Sequence, residues 1–135
     1  MKLFFHMLFK IAAITGMSIL SAASFAHGEN LPGPNGGFIR MPGAFHIEVI
    51  PQQNGFKILL LDIGFQHPLI QHSTVKAVIK QDTKSMELRC KPKQNYFYCS
   101  VDPKQLAKAT SLEVTAVRNN AKGAPAIYPL PLKRS

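Results

Sequence analysis

The 135-residue sequence predicts an all-β fold, an immunoglobulin-like antiparallel β-sandwich of about seven strands with one short helical turn. Three observations carry that expectation. From Gly37 onward apolar residues recur with period two rather than 3.6. Turn signals rich in Gly, Asn and Pro punctuate the chain every ~8–12 residues. Only Asp102–Lys108 combines a capping residue, a proline at the first helical position and good helix formers. A small barrel is the alternative architecture.

The elements follow in order. In GAFHIEVIP, Phe45, Ile47 and Val49 share one face, while Ala44, His46, Glu48 and Ile50 share the other. Gln52-Gln53-Asn54-Gly55 is a turn. Phe56–Ile63 is nearly continuously apolar, as a strand covered on both faces would be. Thr74–Lys80 is β-branched and partly alternating. Ser85–Cys90 and Tyr96–Val101 read as a hairpin turning at Gln94-Asn95. Leu112–Arg118 alternates cleanly, and Asn119–Gly123 turns the chain into a last strand near Ala126–Leu130. Pro129 and Pro131 place that strand at an edge, because proline donates no ladder hydrogen bond.

Residues 1–26 read as a secretory signal peptide. Lys2 and Lys10 flank an apolar start, Ile11–Leu20 carries no charge, and Ser24 and Ala26 supply the small residues before a cut at His27. A cut after Ala23 is the alternative; an uncleaved anchor would be short for a span of ~20 residues. Residues 27–36 are too rich in Gly and Pro for a regular element and form a flexible arm. Residues 37–132 form the sandwich domain. The mature chain has no stable membrane span and is expected in the periplasm or secreted.

An exported chain is oxidised. With the turn at Gln94-Asn95, Cys90 lies opposite Cys99, within disulfide reach. The rival is a redox-active or copper-binding thiol pair, but the spacing is not C-x-x-C. Cleavage removes Lys2 and Lys10 and takes the formal charge from +9 to +7. The cations Lys76, Lys80, Lys84, Arg89, Lys91 and Lys93 recur among apolar residues, which reads as solvated strand faces. The seven acidic residues are spread along the elements and make no carboxylate pair, and no nucleotide, protease or hydrolase motif occurs. The chain therefore reads as a non-enzyme. Export argues against nucleic acid as partner.

Cleavage would leave His27, His46, His67 and His72. As the first mature residue, His27 would offer an amine and an imidazole to one Cu(II) or another divalent transition ion. His46 and Glu48 lie two apart on one strand and point the same way. They are ligand-compatible, or Glu48 orients His46 from behind; the plain alternative is a solvent-facing polar pair. His67 and His72 read as surface histidines. The metal set, if one exists, is His27, His46 and Glu48.

His27-Gly28, then Gly33-Pro34-Asn35-Gly36-Gly37, then Gly43-Ala44-Phe45-His46-Ile47-Glu48-Val49 resembles a pattern in small exported bacterial proteins linked to heavy-metal efflux. It is similar also to the start of some periplasmic adaptor subunits of metal efflux pumps. In the stand-alone proteins the next strand ends in a "D…P" loop, here Asp62–Pro68. A later stretch is matched by Leu112–Ala124. The relatives carry runs such as HxHxH before the turn, where this chain has His27 alone. The resemblance implies a periplasmic binding or accessory protein of transition-metal homeostasis, with an envelope or efflux-complex protein as partner. The other expectation is a structural or protein-interaction domain of the cell envelope that needs no metal.

Overall fold

The computed structural model describes residues 32–134. The signal segment, its cleavage site and His27 lie outside the described residues. Among the described residues ten strands and one helix follow in chain order: β1 (Phe38–Arg40), β2 (His46–Gln52), β3 (Gly55–Leu61), β4 (Thr74–Gln81), β5 (Lys84–Glu87), β6 (Arg89–Pro92), β7 (Phe97–Ser100), α1 (Pro103–Lys108), β8 (Ser111–Arg118), β9 (Ala121–Lys122) and β10 (Ala126–Pro129). One sheet runs β1-β2-β3-β7-β6; the other runs β10-β8-β4-β5, with β9 paired to β8. Every pairing is antiparallel. The fold is the expected all-β sandwich.

The inward set of each strand follows from the period-two pattern. Ile47, Val49, Phe56, Ile58, Leu60 and Phe97 line one sheet; Ala77, Ile79, Leu112, Val114, Ala116 and Tyr128 line the other. Among the described residues, side chains tie the layers together at three points, one of them Arg118 Nε donating to the Leu60 carbonyl at 3.1 Å. The Tyr128 hydroxyl donates to the carbonyl of Ile47 at 3.0 Å, and Arg40 Nε donates to the carbonyl of Ile127 at 3.0 Å.

Three differences from the sequence expectation have physical causes. First, Ser85–Cys90 is not one arm of a hairpin. β5 pairs with β4, the buried Leu88 donates its N–H to the Ala77 carbonyl, and only then does the chain pass to the other sheet as β6. A single stretch thus forms an outer strand of both sheets, which period-two patterning cannot reveal. Second, β3 ends at Leu61 rather than Ile63. The Asp62 carboxylate folds the chain back by accepting N–H groups from Gly64 and Gln66, and Ile63 is left exposed. Third, Pro32–Gly36 belongs to an arm read as flexible, yet it is folded. Pro32 bridges Phe38, Gly33 N donates to Gly37 O, and Gly36 N donates to Gly33 O.

The helix follows its signals. Asp102 Oδ1 accepts the Lys104 N–H at 2.8 Å and Pro103 opens the helix. Cys90 and Cys99 are register partners joined in a disulfide, with Cα atoms 4.0 Å apart. β10 is an edge strand, as its proline requires. Among the described residues no helix is long and apolar enough to cross a membrane.

Candidate functional site

β3 carries apolar residues toward both faces, so the outer face of its sheet needs a cover. Ile39, Leu59 and Leu61 form a second cluster there, packed by Ile50, Phe65 and Tyr96. His46 and Glu48 point into this outer layer. The solvent-facing pair considered from the sequence is therefore wrong: His46 is 4% exposed and Glu48 is fully buried. The loops after β3 and before β1 close over them, and loop packing is not written in strand periodicity.

Glu48 is held by the Gly33–Gly37 turn. Its Oε2 accepts N–H groups from Asn35 (2.9 Å) and Gly37 (2.8 Å), and its Oε1 accepts Asn35 Nδ2 at 2.9 Å. Gly33 sits so close that a Cβ there would overlap the carboxylate, and Gly36 takes a φ of +80° that favours glycine. The carboxylate is thus committed at both oxygens to main chain and amide. It is not the free metal ligand suggested by residue type, nor does it orient His46.

Asp62 orients His46 instead. His46 is the register partner of Leu61, so its ring lies beside the first residue past β3. Its Nδ1 is 3.0 Å from the Asp62 carbonyl. A carbonyl only accepts, so this nitrogen carries a proton, and in the neutral ring the lone pair is at Nε2. Phe65, in a left-handed conformation at φ 62°, stacks on the ring with centroids 4.0 Å apart and planes 14° from parallel. No described side-chain nitrogen or oxygen is buried without a partner, so the unbonded Nε2 of His46 retains contact with solvent.

His67 occupies the other side of the same residue. Its Nδ1 is 2.7 Å from Asp62 Oδ2, and its side chain is largely exposed. The His67 imidazole, followed by the Gln66 N–H, pulls the Asp62 carboxyl below its ordinary value; desolvation opposes them in part, and the Gly64 N–H adds to the lowering. Arg118, projecting from the end of β8, clamps the loop by donating to the carbonyls of Leu60 (3.1 Å) and His67 (2.6 Å).

The structure therefore gathers His46, Asp62, Phe65 and His67 at one corner and sends Glu48 to a separate turn. His72 is remote from this arrangement in its contacts; it lends its carbonyl to Asn120 N. Asp62 and His67 were not singled out as site residues by type. The signal that could have found them is an aspartate directly after a strand, followed by Gly at its second position and His at its fifth. No group of three His, Cys, Asp or Glu side chains suited to a metal ion occurs among the described residues. Comparison with family models, with curated proteins and with solved structures finds no match to this chain.

Proposed function

We propose that the chain is an exported, periplasmic binding protein, not an enzyme, accessory to transition-metal homeostasis or efflux, and that imidazole nitrogens at the Asp62 corner take the ion. One observation carries the reading. His46 and His67 are both anchored through Nδ1 on Asp62, one by its carbonyl and one by its carboxylate, and each leaves Nε2 for a ligand. Fixing the ring through one nitrogen sets the tautomer and orientation of the other, which is how metal-binding imidazoles are commonly supported. Two imidazoles do not complete a site. The His27 amine and imidazole would supply further nitrogen donors after cleavage, and Cu(II) or another late divalent ion suits such a set. The disulfide supports an oxidising compartment.

Native mass spectrometry of exported protein with Cu(II), Zn(II) and Ni(II) tests this. One ion per chain is expected. Affinity should fall in His67→Ala, in His27→Ala and in a variant with one extra Ala before His27. Equal affinity in all of them would remove the metal reading and leave an envelope-interaction domain in front. That second reading rests on its own observation, the cationic face opposite the core of the β6–β7 hairpin.

A further inference from the structure

We infer that the outer face of the β6–β7 hairpin binds an anionic polysaccharide, a glycan carrying sulfate, phosphate or carboxylate on successive sugars. Cys90, Phe97 and Cys99 point into the core, so Arg89, Lys91, Tyr98 and Ser100 point out. The register sets them in rows: Arg89 beside Ser100 and Gly55, then Lys91 beside Tyr98 and Lys57. Arg89, Lys91, Lys93, Tyr98, Ser100 and Asn54 line an open cleft of about 640 Å³.

Charge decides the class of ligand. Arg89, Lys91 and Lys93 make no ion pair among the described residues; the two pairs there are His67–Asp62 and Lys80–Glu113. The one carboxylate at the rim, Asp102, has Oδ1 engaged in capping α1. Three unpaired cations around one cleft favour an anion with several charges. Arg89 and Lys91 are two strand residues apart, about 7 Å, so a chain with an anion on each unit meets them in sequence. Between the cations lie a half-buried Tyr98 ring, against which the C–H face of a sugar can rest, and the neutral Ser100 and Asn54, suited to its hydroxyls.

Two other polyanions fit less well. Single-stranded nucleic acid uses several aromatic platforms in succession. Here Tyr96, the other tyrosine of the hairpin, is covered by Lys57 Nζ at 4.3 Å. An acidic peptide adding to the free edge of β6 would need its main-chain donors, and Pro92 removes one. The disulfide has a role in the same face. Cys90 lies between Arg89 and Lys91, so its bond to Cys99 pins the edge strand that carries the cations and lowers the ordering cost of binding.

The test is fluorescence anisotropy with labelled dextran sulfate, against neutral dextran, poly-glutamate and a thymidine oligonucleotide of similar length, using the exported chain. Dextran sulfate should bind, with affinity falling as salt rises. Lys91→Glu/Lys93→Glu should weaken it about tenfold or more. Lys76→Glu/Lys122→Glu makes the same charge change on exposed positions of the other sheet and should alter it less than about threefold. Circular dichroism checks that both variants fold. Equal losses in the two variants, no loss in the first, or poly-glutamate or the oligonucleotide binding as tightly as dextran sulfate would each overturn the inference. Phosphorylated and carboxylated glycans of the same length then separate the possible sources of the charge.

Discussion

Asn35 grips Glu48 at both carboxylate oxygens, with its backbone N–H on Oε2 and its side-chain amide on Oε1, each at 2.9 Å. The Gly-Pro-Asn-Gly-Gly turn and the glutamate of β2, eleven to fifteen residues apart in sequence, are one structural unit. The glycines permit close approach, the asparagine supplies two donors, and Gly37 supplies a third. The sequence pattern that resembled efflux-associated proteins is in this chain a buried carboxylate and the turn that satisfies it. Its first role is to hold the chain before β1 against the outer face of the sheet.

Glu48→Gln should destabilise the fold by about 2–3 kcal/mol, because a buried amide has one acceptor oxygen for three N–H donors and turns its N–H2 against at least one of them. Gly33→Ala should cost about 1–3 kcal/mol by overpacking the same spot. Urea unfolding measures both. A Glu48→Gln variant within about 0.5 kcal/mol of the parent would mean that the turn is not held by this carboxylate.

The Cys90–Cys99 bridge closes a short loop at an edge strand. Its removal as Cys90→Ser/Cys99→Ser should cost about 2–3 kcal/mol through restored freedom of the unfolded chain. The native protein should show no free thiol and a mass two hydrogens below the reduced chain. Two titratable thiols in that protein would refute the pairing.

Asp62 gives a pH dependence with a definite sign. Its folded-state value lies below the ordinary 3.8, so the folded chain binds fewer protons here than the unfolded chain. The contribution is present above that ordinary value and is lost as pH falls through the folded one. Asp62→Asn should therefore melt lower than the parent near neutrality, with the gap closing in acid. His67→Ala should return the Asp62 carboxyl toward its ordinary value in a carbon-detected titration, since the His67 bond is the largest cause of the lowering. A gap that widens toward acid would have the wrong sign.

The sandwich, the α1 boundaries and the opposed cysteines were legible because each rests on a local signal: alternation, a capping Asp with Pro, and a turn between two Cys. The crossing of Lys84–Pro92 between sheets was not, since Leu88 looks like any other buried strand residue. The burial of His46 and Glu48 was hidden for a related reason. Alternation assigns a side to a residue but does not say that a loop will cover that side. The Asp62 corner lies between the two cases. Its turn chemistry is local, whereas its grip on His46 depends on the His46–Leu61 register.

The most direct measurement is a Zn(II) titration of the chain followed through the imidazole nitrogens by long-range nitrogen–proton correlation. The site proposed here predicts saturable shifts at Nε2 of His46 and His67, with the Nδ1 protons that face Asp62 retained. Unshifted His46 and His67 rings, or shifts confined to His72, would contradict it.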